Sequence, residues 1–491
     1  MAEYPSDIFN DTSPGWTAAG GNSQLMDVNL AYAPSVGHQA WLMISGVLIM
    51  PIIPGIGLFY AGEARRKSAL SILWQSMAIL GIIPFQWFFW GYSLTYAADA
   101  SPFIGTLTNF GLRNVISVPM GYIPEILFSF FQCMFCIETI VIMIGGAFER
   151  CRLLPSMVYA FCWATIVYCP IACWTWNSNG WLYKLGALDF AGGGPVHIAS
   201  GVGALAFSLV LGKRIEHKDD GKLPQYDAHS PVMIYIGTIF IWMGWFGFNG
   251  GSTLNATVRT GYVLVNTNLA AATGIMGWNA LEYILYKGRF SVAGSCRGVM
   301  VGLVAITPAA GYVPVYFAAV IGFVSAVIVR GVDNWFNEFV GIDEGLMVFK
   351  NHAIGGTCGA LMTGIFAANW VTALDGSSSA SGWVDHNYIQ LGYQLAEVCA
   401  IIGYTLVMSI ILLYLINYIP GLKFRSEEHE EKEGLDLHYL FNEGMGDHEL
   451  FLALKEAGFF EALAIKGREL LSESVTTSTS KAEQAEEKKS S

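Results

Sequence analysis

The chain has 491 residues, of which 54% are hydrophobic and 13% charged, against about 45–50% and about 25% in soluble domains. That balance excludes an ordinary soluble fold, and the formal charge of −12 excludes the basic footprint of a nucleic-acid binder. Residues 421–491 hold 9 Lys+Arg and 16 Asp+Glu, so the tail carries −7 and the rest −5; the acidity belongs to a solvated end.

Residues 1–40 are polar and rich in Gly, Ser and Asn, without the positive stretch of a cleavable signal peptide. They read as an extracellular segment, with Asn10-Asp11-Thr12 as a glycosylation sequon at Asn10. From residue 41 apolar runs recur, each long enough to cross a hydrocarbon core of about 30 Å. They number eleven: 41–62, 68–97, 122–148, 153–174, 190–212, 231–252, 262–286, 291–307, 312–330, 345–369 and 389–419. Pro308 and Gly311 barely separate the eighth from the ninth. The expected fold is an all-α polytopic membrane protein with eleven transmembrane helices in residues 41–420, followed by a cytosolic tail, 421–491.

Loops after the first, third, fifth, seventh and ninth runs hold twelve Lys and Arg, including Arg65, Arg150, Arg152 and Arg214. The opposite loops hold Arg113, Lys184 and Arg259. By the positive-inside rule the N-terminus lies outside and the C-terminus in the cytosol. A second sequon, Asn255-Ala256-Thr257, also falls outside but close to the membrane.

Two histidines stand in echoing frames. Asp189 precedes His197 by eight residues and Gly201 follows it by four; Glu344, His352 and Gly356 repeat the spacing. A titratable ring inside a membrane is costly and marks a functional site by default. Two in matching frames suggest an inverted 5+5 helix repeat plus one extra helix. Each histidine lies about 12 Å along its helix from the acid. Approached from opposite faces, both rings fall near the midplane. Asp189 either caps the fifth span or touches substrate.

Other chemistry is absent. Cys133-Met134-Phe135-Cys136 is a CxxC with no second pair, and the nine cysteines sit in or beside spans, which reads as packing. No nucleophile–base pair, phosphate loop or metal spacing occurs, so neither an enzyme nor a cofactor is expected.

Several segments carry a family resemblance: Pro54-Gly55-Ile56-Gly57-Leu58-Phe59-Tyr60-Ala61-Gly62, Phe131-Gln132-Cys133-Met134-Phe135, Gly186-Ala187-Leu188-Asp189-Phe190-Ala191-Gly192-Gly193-Gly194, Gly244-Trp245-Phe246-Gly247-Phe248-Asn249-Gly250-Gly251-Ser252 and Thr307-Pro308-Ala309-Ala310-Gly311-Tyr312. From about Trp41 to about Asp436 the chain resembles the ammonium transporters (Amt/Mep/Rh), and within them the fungal Mep-type permeases. The resemblance implies a plasma-membrane homotrimer with one pore per subunit and ammonium or methylammonium as substrate. It implies an outer recruitment site at Phe135, Trp176 and Ser252, an aromatic gate of Phe135 and Phe248, a proton relay through His197 and His352, and Asp189 as a buried vestibule acid. The physics agrees: aromatic faces attract a compact cation, Ser252 can accept one of its hydrogen bonds, and an apolar constriction favours passage of neutral ammonia. Trp176 is alternatively an interfacial anchor.

Glu138 departs from the family, which has a small or apolar residue there. Three residues after Phe135, it shares that helical face: it either reaches the pore wall as an ionised pore modifier, or is protonated, or faces a subunit interface. Lys350 precedes His352 by two residues and so points away from it. Glu63 is expected in a cytosolic loop, without consequence. In the tail, 427–436 resembles the start of the family's C-terminal region, 450–471 has amphipathic spacing, and the Ser/Thr-rich end reads as disordered. That end offers phosphate acceptors to a kinase or other signalling partner. Two functions remain open: ammonium transport, and an ammonium sensor that signals through its tail with little flux.

Overall fold

The structure is a computed structural model. It describes residues 35–115, 119–215 and 228–441, the pairs 16–17 and 21–22, and positions 458 and 466. Asn10, the 450–471 spacing and the Ser/Thr-rich end lie outside the described residues.

Helices dominate. In chain order they are α1 (Val36–Glu63, broken at Met50–Pro51), α2 (Arg66–Tyr96), α3 (Glu125–Ala147), α4 (Leu153–Leu185), α5 (Gly193–Leu211), α6 (Pro231–Gly251), α7 (Val258–Leu285), α8 (Val292–Ile306), α9 (Val315–Phe339), α10 (349–366), α11 (Gln390–Asn417) and the short α12 (Glu428–Glu433). Eight of them (α1 to α6, α9 and α11) contain stretches long and apolar enough to cross a membrane, and α8 is a shorter apolar helix. With α7 and α10, helices stand at every position where the sequence places a span. The surface carries large exposed apolar side chains such as Met77, Ile284 and Leu415, which a soluble protein would mostly bury.

Small residues set the packing, as expected where lipid supplies no hydrophobic drive between helices. On α1 and α6, Cβ atoms at Gly55 and Gly237 would lie 3.0 and 2.5 Å from each other's carbonyl oxygens. α7 packs on α8 and α9, while α5 lies against α3, α11 and the start of α10. These last contacts bring the two histidine-bearing helices together at the centre.

At the end bearing the basic loops, several charges are buried in pairs. Glu149 bonds Arg65 (2.8 Å) and Arg214, and Arg214 donates to both carboxylate oxygens of Asp343 at 2.7 and 2.9 Å. The backbone of residues 424–426 pairs with that of residues 150–152, through Arg152 N–H to the Phe424 carbonyl (2.8 Å) and Ser426 N–H to the Arg150 carbonyl (3.1 Å). α12 follows, its Glu431 accepting from Arg425 (2.5 Å) and from the Ile215 N–H (2.9 Å). The described part of the chain beyond Leu435 continues a short helix, Leu435–Tyr439.

One sequence expectation changes. Glu63 is not a loop residue: it ends α1, is buried, and pairs with Arg297 of α8 at 2.8 Å. Its negative charge therefore neutralises a cation inside the helix packing. Asn255 is buried, and its amide donates to Asp375 at 3.0 Å, so that sequon is closed to a glycan.

Candidate conduction path

Both histidines lie in π-helical first turns. Residues Gly193–Ile198 open α5, and Phe349–Ile354 open α10. Such widened turns recur at functional sites. Each is held by the acid that the sequence pattern singled out. Asp189 Oδ1 accepts from the Gly192 and Gly193 N–H groups at 2.7 and 2.8 Å, and Oδ2 from Gly194 at 2.6 Å. Glu344 accepts from the Phe349 N–H at 2.6 Å. A helix leaves its first N–H groups unsatisfied, and a carboxylate there meets both the donors and the positive end of the dipole. Asp189 is thus a cap. Gly192 precedes the turn at φ +116°, a conformation closed to most side chains.

The echoing glycines explain the crossing. A Cβ at Gly201 would lie 2.5 Å from the Ala353 nitrogen, beside His352. One at Gly356 would lie 2.9 Å from the Gly193 oxygen and 3.2 Å from the His197 Cβ. Each glycine admits the backbone of the other helix next to the other histidine. The imidazoles consequently meet: their Nδ1 atoms are 3.4 Å apart and their ring centroids 5.5 Å apart. Both rings are at most 1% exposed.

A file of rings leads away from the pair. His197 stacks on Trp245 at 5.3 Å and 14°, and approaches Phe248 at 6.2 Å. Phe248 stacks on Phe135 at 4.0 Å and 17°. Phe135 meets Phe131 at 4.9 Å and the edge of Trp176 at 5.9 Å and 86°. Trp176 donates its Nε1–H to the Asp189 carbonyl at 3.2 Å, which ties the end of the file to the cap. Ser252 follows Phe248 by one helical turn, and its hydroxyl donates to the Phe248 carbonyl at 2.8 Å, leaving oxygen lone pairs to accept. Of the sequence-named residues, Trp176, Phe135, Phe248, His197 and His352 therefore gather into one line, with Asp189 and Ser252 bonded to it. Trp245 and Phe131 join it without having been singled out, although spacings of three and four residues from Phe248 and Phe135 place them on the same helical faces.

Lys350 points away from the rings, to Asp333 of α9 at 2.6 Å. The side chain of Glu138 is fully buried within a single subunit, which removes a subunit interface as its surroundings. The cysteines are free, and no cluster able to hold a metal occurs among the described residues.

Residues 40–443 match the model of the Ammonium Transporter Family. Ammonium transporter 1 of Schizosaccharomyces pombe is 46% identical over 422 residues, covering 85% of this chain and 83% of that protein. Ammonium transporter MEP2 of Saccharomyces cerevisiae is 45% identical over 432 residues, covering 86% of each. The crystal structure of Candida albicans Mep2 superposes with a TM-score of 0.80 at 45% identity, over 84% of this chain and 91% of that one. A helical membrane fold, a buried imidazole pair below stacked aromatics, and these matches over most of its length agree: the chain belongs to the ammonium transporter family.

Proposed function

We propose that the protein takes up ammonium across the plasma membrane by separating the proton from ammonia. The cation is held outside among Trp176, Phe135 and the Ser252 hydroxyl. Cation–π attraction of about 0.5–2 kcal/mol and one accepted hydrogen bond offset part of its hydration there. Beyond the Phe135/Phe248 stack a bare cation would lose its solvation, which is prohibitive in apolar surroundings. The proton moves instead to the Nε2 atom of His197, which has no hydrogen-bond partner among the described residues. His197 then passes its Nδ1 proton to Nδ1 of His352, and His352 releases a proton from its own Nε2. Ammonia continues along the apolar wall. Potassium has no proton to give up and is rejected at the same step. The subunits form a trimer with a path in each, and the C-terminal tail lies in the cytosol.

The Nδ1 contact at 3.4 Å between two buried imidazoles, at the foot of the aromatic file, carries this reading. The test is ammonium-evoked current in reconstituted vesicles. Wild type should give current, and His197→Ala/His352→Ala should lose it at equal protein density. Undiminished current in the double variant refutes the relay.

A second reading, an ammonium sensor with little flux, draws on the acidic segment Glu427–Glu433 held against Arg152 and Arg425. Growth of a transporter-deficient fungus on low ammonium separates the two: failure to rescue growth by well-expressed protein, with signalling intact, favours the sensor.

A further inference from the structure

We propose that Glu138 is a substrate-binding residue of the conduction path, a hydrogen-bonding station for the migrating nitrogen between the Phe135/Phe248 stack and the depth of the imidazole pair. The inference rests on the path described under the proposed function and names a site within it.

Burial and isolation come first. Glu138 is 0% exposed, and neither carboxyl oxygen has a hydrogen-bond partner among the described residues. Most other buried acids in this protein are engaged: Glu63 by Arg297, Glu149 by Arg65 and Arg214, Glu282 by Arg330, Asp189 by three N–H groups, and Glu125 by Tyr92. A buried polar group without a partner is strongly disfavoured, and within a membrane such a group marks function.

Position comes second. Phe131, Phe135, Glu138, Ile142 and Gly145 recur at spacings of four and three along α3, so they share one face. On one side of Glu138 this face touches the path, and on the other it approaches the helix that carries His352. Phe131 presses on α6 at Gly251, where a Cβ would lie 2.5 Å from its ring. Phe135 stacks on Phe248 of α6. Further along, a Cβ at Gly145 would lie 2.7 Å from Val348 and 2.9 Å from the Tyr60 ring, and Val348 is one helical turn before His352. Glu138 sits about 4.5 Å along the axis beyond Phe135, between the stack that Phe135 makes with Phe248 and the contact of Gly145 with Val348. On the elements packed against α3, titratable groups toward the middle of the spans are Tyr60 of α1, Tyr96 of α2, Tyr168 and Cys169 of α4 and His197 of α5; none hydrogen-bonds to Glu138 among the described contacts.

Chemistry comes third. Ammonia leaving the aromatic stack has three N–H donors and one lone pair. A carboxyl group accepts from an N–H, and in its protonated form also donates to the lone pair. It thereby lowers the barrier for a polar molecule crossing an apolar stretch.

The test uses the full-length protein in vesicles, with ammonium as the probe, and compares Glu138→Leu and Glu138→Gln with wild type. Leucine fills similar volume without polar atoms; glutamine keeps a donor and an acceptor. Glu138→Leu should lower the maximal ammonium-evoked current about tenfold while raising thermal stability in detergent, because removing a partnerless buried polar group relieves its desolvation. Glu138→Gln should recover most of the current. Wild-type current in Glu138→Leu, or a stability that falls together with the current, overturns the proposal. His197→Ala/His352→Ala, measured beside them, separates the two claims: current lost in that variant but kept in Glu138→Leu rejects the Glu138 station alone, whereas the reverse pattern upholds the station and rejects the relay.

Discussion

Replacing Asp189 separates a capping role from contact with substrate. Its carboxylate satisfies three N–H groups at the start of the π-helical turn that carries His197, at 2.6 to 2.8 Å. Hydrogen bonds to a charged group contribute about 1.5–3 kcal/mol each. Asp189→Ala strands three buried donors, and even at the low end of that range the loss is about 4–5 kcal/mol, a large part of the stability of a typical domain. Asp189→Asn is gentler and more informative. Its amide oxygen keeps the bonds from Gly192 and Gly193, while its NH₂ is set against the Gly194 N–H. One charge-assisted bond is lost and two donors are opposed, a penalty of about 2–4 kcal/mol that a hydrogen bond from the new NH₂ to the neighbouring Glu397 carboxyl reduces. Size-exclusion profiles after heating in detergent read the stability, and methylammonium uptake gives KM and maximal rate. Both variants should lose heat resistance, the alanine more, and folded Asp189→Asn should show a lower maximal rate with KM little changed, because the imidazole is displaced rather than the recruitment site. Asp189→Asn with wild-type heat resistance and a greatly raised KM would refute the capping role and make Asp189 a substrate contact.

Burial alone would raise the Asp343 carboxyl, but Arg150 and Arg214 outweigh it and hold it well below the usual range. Burial likewise pushes Glu149 up, and Arg214 and Arg65 bring it below its ordinary value. Groups with depressed folded values stabilise fully above their unfolded values of about 3.9 and 4.3 and lose that contribution as pH falls through the folded values. Heat resistance should therefore fall below about pH 4. Asp343→Asn should lower stability near neutrality by about 3–5 kcal/mol, since it removes a negative charge beside buried Arg150 and leaves Arg214 with Glu149 alone, and should flatten the acid limb; an unchanged profile counts against the network. Gly201→Ala places a methyl group against the Ala353 backbone nitrogen, which no side-chain rotation relieves. It should destabilise the protein by about 1–3 kcal/mol and reduce uptake in parallel, and normal heat resistance would show that the two helices can part without loss.

The sequence by itself determined the class and most of the site. Density of apolar runs dictates a helical membrane protein, because only closed hydrogen bonding survives in lipid. The repeated acid–histidine–glycine spacing marked all six residues that make the histidine crossing: two caps, two rings and two glycines. These features are legible because each depends on local helical geometry. Tertiary structure decided whatever depends on which faces meet. It alone shows Glu63 ending a helix in a buried ion pair with Arg297, because the two are far apart in the chain. It alone stacks Trp245 on His197, since a tryptophan among many apolar residues carries no sign of the ring it will cover. It turned Asn255 inward to Asp375. It also buried Glu138 with no hydrogen-bond partner among the described residues: helical spacing gave that residue the face it shares with Phe135, but only the packing of the neighbouring helices could decide what that face touches.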